Sequence, residues 1–248
     1  MTAMEEFTEM LRKHHRIVFF GGAGVSTESH IPDFRGKDGL YRQKTDLPWS
    51  PEEMLSHHFY AEHPVEFFTL YKEREGMMMQ AEPNRAHYAL AELEKMGKLS
   101  AVVTQNIDGL HQKAGSRNVL ELHGSVLRNI CQKCGKMVRM EEFIGLCHPI
   151  PHCPDCGGVL KPDVVLYEES LDMNTIDDAV YEISRADMLI IGGTSLVVYP
   201  AAGFVDYFRG DSLVMINKDE TGRDGRCNLV FHESVGKILE EGLQAMKQ

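Results

Sequence analysis

The sequence predicts an α/β protein: a doubly wound parallel sheet carrying a smaller second domain. Three observations predict it. Short, continuous apolar runs of strand length recur along the chain. Amphipathic helical patterns lie between several of them, an alternation that buries parallel strands under helices on both faces. Two stretches, about 36–80 and 124–161, break the alternation and read as excursions from the sheet. The chain then divides into 1–35, 81–123 and 162–248, which form the sheet domain, and 36–80 with 124–161, which form the small one.

The elements follow in order. Thr2 and Glu5 make a capping box, and Phe7, Met10 and Leu11 fall at helical spacing behind it. The basic stretch Arg12 to Arg16 suits the end of that helix. Ile17 to Phe20 is a buried strand that runs into Gly21-Gly22-Ala23-Gly24. Asn84 caps a helix bearing Leu90, Leu93 and Met96, with Gly97 as its stop. Further strands are expected at Ser100 to Thr104, Val119 to Leu122, Val164 to Tyr167, Met188 to Ile191, Leu213 to Ile216 and Leu229 to Phe231. Asp172 or Asn174 caps a helix with Ile176, Ala179, Val180 and Ile183 on one face. The last helix presents Val235, Ile238, Leu239, Leu243 and Met246.

Composition narrows the function. The 248 residues carry 26 Lys+Arg and 37 Asp+Glu, a net charge of −11. Such an acidic chain is a poor ligand for nucleic acid or an anionic membrane. No run reaches the ~18 apolar residues of a membrane span. The first residues are acidic before they are apolar, the wrong order for a signal peptide. A cytoplasmic protein is expected, its six cysteines reduced or metal-bound.

Four of those cysteines form the sharpest local motif. Cys131-x2-Cys134 and Cys153-x2-Cys156 are separated by 18 residues, and glycines stand just after each pair (Gly135, Gly157, Gly158). Two such knuckles close a tetrahedron around one Zn²⁺. Four sulfurs leave no open position, so the zinc is expected to be structural. Cys147 and Cys227 fall outside the pattern.

The remaining motifs sit at strand ends, where doubly wound sheets place ligands. Gly22-Ala-Gly24-Val-Ser-Thr27 follows a strand, as a phosphate-cradling turn must. It lacks the third glycine and the later acidic residue of the dinucleotide fingerprint, so an ordinary strand-to-helix turn explains it equally well. Thr104-Gln105-Asn106-Ile107-Asp108 follows another strand and can orient a sugar or an amide; alone, it reads as a polar turn. His123-Gly124 follows a third, where a neutral imidazole is a candidate general base. Gly193-Thr194-Ser195 and Asn217 end two more.

Together these residues resemble the sirtuin family of NAD-dependent protein lysine deacylases, of the bacterial type. The resemblance is carried by GAGVSTESHIPDFRG at 22–36, TQNIDGLH at 104–111, ELHGS at 121–125, the two cysteine pairs, GTSLVVYPA at 193–201 and Ile216-Asn217. It implies a Rossmann-like domain with a zinc-ribbon insert and a helical insert, NAD and an acyl-lysine peptide meeting in the cleft between them. It implies that Ala23, Thr27, Phe34, Arg35, Gln105, Thr194, Ser195, Asn217 and Val235 hold NAD, with Ile107 and Asp108 around the nicotinamide amide. Asn106 would position the ribose and a water, and His123 would be the general base as well as a cofactor contact. The implied reaction removes acetyl groups from protein lysines and yields nicotinamide, O-acetyl-ADP-ribose and free lysine. Mono-ADP-ribosyl transfer on the same NAD site is the alternative.

Three departures from the family pattern stand out. His30 occupies a position often Gly or Asn. Glu168 replaces the Gly of a VVFFGE-like segment whose backbone, at Val165 and Tyr167, is expected to pair with the substrate. Tyr71 and Arg74 match the spacing of a Tyr-x-x-Arg that holds acidic acyl groups, so succinyl and malonyl groups are expected as additional substrates beside acetyl. The plain alternative is two helical neighbours at i,i+3.

Overall fold

The computed structural model describes residues 1–33, 36, 39 and 47–248, with the backbone alone at 75–77. Helix α1 (Ala3–Lys13) opens the chain, with the Thr2–Glu5 capping box in place. Strand β1 (Ile17–Gly21) follows, then two short 3-10 turns at Ala23–Val25 and Thr27–Ser29. The first excursion holds a 3-10 turn at Glu53–Leu55 and helices α2 (His57–Glu62) and α3 (Pro64–Met78). Helix α4 (Arg85–Lys95) is capped by Asn84, and Met96 ends it half-exposed instead of joining the core. Strand β2 (Leu99–Thr104), helix α5 (Leu110–Lys113) and strand β3 (Val119–Glu121) complete one half of the sheet.

The second excursion is a three-stranded antiparallel sheet, β4 (Gly124–Cys131), β5 (Met137–Arg139) and β6 (Leu160–Val164), with α6 (Met140–Leu146) between the last two. Helix α7 (Met173–Arg185) returns the chain to the parallel sheet, with Asp172 as its cap. Strands β7 (Met188–Gly192), β8 (Ser212–Ile216) and β9 (Leu229–Phe231) follow, and α8 (Val235–Lys247) closes the chain.

The parallel sheet has the order β3-β2-β1-β7-β8-β9. Two halves wind outward from the centre, so the topological switch lies between β1 and β7. Its central strands are buried throughout and their side chains alternate between two cores. Ile17 and Phe19 join α1, α4 and α8 in one. Val18 and Phe20 join α7 and the 3-10 segment Ala201–Tyr207 in the other. A third core joins the two excursions: Phe59, Phe67, Phe68 and Tyr71 from the helices meet Val126, Phe143 and Leu160 from around the antiparallel sheet.

One expected strand is corrected. Val164 to Tyr167 is not part of the parallel sheet. Val164 ends β6, and Tyr167 lies outside the named strands, in an isolated parallel bridge to Ser56. The apolar run straddles a strand end and a loop. The strand itself is masked in sequence by Lys161, Pro162 and Asp163, a proline tolerated because β6 is an edge strand. The strand at 119 stops at Glu121, one residue short of Leu122.

Two histidines are buried where α4 meets α5. His87 and His111 are both buried, with ring centroids 4.7 Å apart. Burial alone drives His87 down to about 4 from an ordinary 6.5. The unfolded chain takes up this proton near pH 6.5, whereas the folded chain resists until about pH 4. Stability is therefore full above pH 6.5 and drains away as pH falls toward 4, by about 3 kcal/mol. Urea denaturation at pH 7.5 and 4.5 measures this. A His87→Gln variant is expected to lose the His87 share of that pH dependence, the remainder belonging to His111, which burial and His87 also hold below its ordinary value; an unchanged slope would exclude His87.

Candidate active site

The site forms where the switch point predicts. The turns that leave β1 and β7 meet backbone to backbone: the Gly24 N–H donates to the Gly193 carbonyl at 2.8 Å. A Cβ on Gly193, which has φ +61°, would stand 2.5 Å from the Val25 nitrogen. A Cβ on Gly24 would stand 2.8 Å from Gly193. Glycine in both turns is thus a packing requirement, and it opens a crevice of about 890 Å³ between the parallel sheet and the two excursions.

The crevice gathers nearly every residue singled out from the sequence. Ala23, Thr27, Gln105, Asn106, Ile107, Asp108, His123, Thr194, Ser195, Asn217 and Val235 line it on the sheet side. Tyr71, Arg74, Val165 and Tyr167 line it on the side of the excursions. Phe34 and Arg35 lie outside the described residues. His30, the first departure, stands in the left-handed region at φ 63°, the conformation that explains glycine or asparagine there.

A buried polar relay forms the floor. Ser26 donates to Asp108 Oδ2 at 2.7 Å and accepts from Asn106 Nδ2 at 3.0 Å. The Leu110 N–H donates to the other Asp108 oxygen at 2.9 Å. Burial nevertheless raises the Asp108 carboxyl above its ordinary range, against both hydrogen bonds. Gln105 donates to Thr194 Oγ1 at 3.1 Å and so ties the β2 end to the β7 end. Asn217 donates to the Asp219 carbonyl at 2.8 Å. Sequence reasoning missed Ser26, although it lies within the glycine turn; a small hydroxyl two residues past the second glycine was the available signal.

His123 stands above this floor. Its Nδ1 lies 2.9 Å from the Gln105 carbonyl, which can only accept, so Nδ1 carries the proton and Nε2 is left with its lone pair. Burial lowers its pKa, and the Gln105 carbonyl works against that shift. Gly124 follows at φ +75°; a Cβ there would stand 2.0 Å from the Asp163 carbonyl oxygen. The glycine lets β4 start beside β6, and the Val165 N–H donates to the His123 carbonyl at 3.0 Å. The imidazole and the Val165 segment are therefore held as one unit.

The four cysteines lie apart from the crevice. Their sulfurs all fall within 4.8 Å of one another, with Cys131–Cys156 at 3.4 Å and Cys134–Cys153 at 3.8 Å. A tetrahedron of ~2.3 Å Zn–S bonds has edges of about 3.8 Å, so the set fits one zinc. All four are free thiols. The Cys134 N–H donates to the Cys131 sulfur at 3.5 Å and lowers that thiol's pKa, whereas the neighbouring sulfurs raise that of Cys134, a crowding of like charge that a metal ion would relieve.

Fold and site together define a nucleotide-binding α/β protein with a structural metal module set over its switch-point crevice. The chain matches the Sir2 family over residues 22–200 and belongs to that family. It is 54% identical to the NAD-dependent protein deacetylase of Clostridium acetobutylicum over 237 residues, 96% of each chain. The NAD-dependent protein deacetylase of Clostridium perfringens is 55% identical, over 95% of this chain and 96% of that one. A solved structure described as Sir2 with p53 peptide and NAD+ superposes with a TM-score of 0.86 at 38% identity, covering 99% of this chain and 98% of the other. Another, of Sir2 with deacetylated p53 peptide and 3'-O-acetyl ADP ribose, superposes at 0.88 with 37% identity over 98% of both.

Proposed function

We propose that this chain is an NAD-dependent protein lysine deacetylase. The single observation that carries the reading is His123: a neutral imidazole with its proton fixed on Nδ1, facing a crevice built at the switch point for a dinucleotide. Bound there, NAD supplies a glycosidic bond whose nicotinamide is a cationic leaving group. Asp108 and Ile107 hold the carboxamide of that group, and Asn106, fixed through Ser26, orients the ribose and a water. Ala23, Thr27, Gln105, Thr194, Ser195, Asn217 and Val235 hold the rest, with Phe34 and Arg35 assigned the same task from their motif. With NAD bound, the acyl oxygen of the substrate would bond to the anomeric carbon as nicotinamide leaves; His123 Nε2 would take the proton of a ribose hydroxyl, whose oxygen would then bond to the acyl carbon, and water would release the lysine amine to leave O-acetyl-ADP-ribose. Val165 and Tyr167 present the backbone edge for the acyl-lysine peptide.

The domain division 1–35, 81–123 and 162–248 against 36–80 with 124–161 belongs to the same reading, as do a cytoplasmic location and the absence of direct nucleic-acid binding. Among the described residues, no helix is long and apolar enough to cross a membrane. The net charge of −11 supports the exclusion of nucleic acid.

Tyr71 and Arg74 on the crevice wall favour acidic acyl groups as additional substrates. Nicotinamide release, read by mass spectrometry with acetyl-lysine and succinyl-lysine peptides, tests both statements. Release that requires an acyl peptide, with an equal yield of O-acyl-ADP-ribose, is expected. Release without peptide, with ADP-ribose left on protein, would replace the deacetylase by the transferase. An Arg74→Ala variant is expected to lose desuccinylation by tenfold or more, the scale of a lost charge-assisted pair, and to keep deacetylation.

A further inference from the structure

Glu168 is the departure that the reaction does not use. It stands at φ 76°, in the left-handed region where a glycine would rest without strain. Its carboxylate explains why it stays there. Oε2 accepts from the His58 N–H at 3.0 Å and Oε1 lies 2.8 Å from His58 Nδ1. The next residue repeats the arrangement: Glu169 lies 2.9 Å from His57 Nδ1, accepts from the Leu166 N–H at 2.9 Å and pairs with Lys161 at 3.0 Å. Between them the backbones join, Tyr167 N–H to Leu55 carbonyl and His57 N–H to Tyr167 carbonyl, both at 3.0 Å. The segment that borders the crevice is thus riveted to the first turn of α2.

We propose that Glu168 and His58 are positioning residues for the acyl-lysine peptide: their charge pair locks the edge Val165–Tyr167 onto α2 and loosens as the solution turns alkaline, so that grip on the peptide, and not on NAD, depends on pH. The inference rests on the deacetylase reading and names a control on its substrate edge. Glu168 faces His58 most directly, with Glu53 and Glu62 adding negative charge from the same side of the chain. Ser56 Oγ lies 3.1 Å from His58 Nδ1, and His57, Glu169 and Lys161 complete the charged surroundings. The Glu168 carboxylate raises His58 above its ordinary value, and His58 in turn lowers Glu168. The pair is therefore doubly charged at neutral pH below the raised His58 value; above it the ring is neutral, and the Glu168 carboxylate keeps only a hydrogen bond from an uncharged imidazole. Both partners are half-exposed, so the expected effect is that of a surface pair, about threefold in an equilibrium constant.

The test is the KM for an acetyl-lysine peptide and for NAD between pH 6 and 9, with the His58 ring followed by NMR. In the wild type, KM for the peptide is expected to rise about threefold as His58 loses its proton, with KM for NAD level. Glu168→Gln keeps an acceptor for the His58 N–H without the charge and is expected to give a flat peptide profile; so is His58→Gln. Glu168→Gly, which relieves the backbone, is expected to lower the His58 titration toward its ordinary value, with Glu53 and Glu62 still raising it. A wild-type peptide KM that does not move while His58 titrates would overturn the proposal, as would variants that keep the wild-type profile. A wild type that releases no nicotinamide with any acyl peptide would overturn the deacetylase reading, and the role of the pair with it.

Discussion

Replacing His123 with alanine is expected to lower the turnover of acetyl-lysine peptide about 10²–10⁴-fold, the range a positioned general base contributes. The argument rests on one hydrogen bond. Because the Gln105 carbonyl fixes the proton on Nδ1, Nε2 is a base as long as the ring is neutral. Burial lowers the pKa, so the ring stays neutral below pH 6.5, where an ordinary histidine is already half charged. The acid limb of kcat/KM, which reports the free enzyme, should therefore fall below pH 6.5. Steady-state rates from pH 5 to 8 would measure it. A variant that retains a tenth of wild-type turnover, or an acid limb above pH 6.5, would remove His123 from the role.

Loss of the metal is expected to have the larger effect on structure. Structural zinc contributes about 10–16 kcal/mol to isolated zinc-finger peptides. Here the knuckles also pack on an aromatic core that includes Phe68 and Phe143, so part of the module's stability survives without the ion. Chelation, or Cys153→Ser, is expected to open 124–161 to proteolysis while the parallel sheet persists. Metal analysis should give one zinc per chain. Unchanged protease resistance and melting after complete removal of zinc would sink the structural assignment.

The parallel sheet was legible because its strands are continuous apolar runs, which alternate between two buried faces only once folded. Caps at Thr2, Asn84 and Asp172 marked helix starts because side-chain oxygens there do a local job. The antiparallel strand at Leu160 was not legible, since its lysine, proline and aspartate obey the needs of an edge and not of a core. The candidate site could be read as separate motifs at strand ends. Ser26 could not, because its importance arises from two partners some 80 positions away in sequence, Asn106 and Asp108. The Glu168–His58 pair escaped for the same reason: 110 positions separate them.

The aromatic core shared by the two excursions also sets an order of assembly. Phe59, Phe67 and Phe68 leave the ribosome long before Val126, Phe143 and Leu160, the partners that cover them. Trp49 and Tyr60 cover part of these rings locally, but the rest of their cover comes from residues that arrive only after β2 and β3 have been made. During synthesis, at ≈ 5–20 residues per second, that oily face waits for several seconds. A holdase that screens exposed aromatics would find its natural handle there, and a nascent chain halted near residue 120 would be the form most prone to stick to its neighbours.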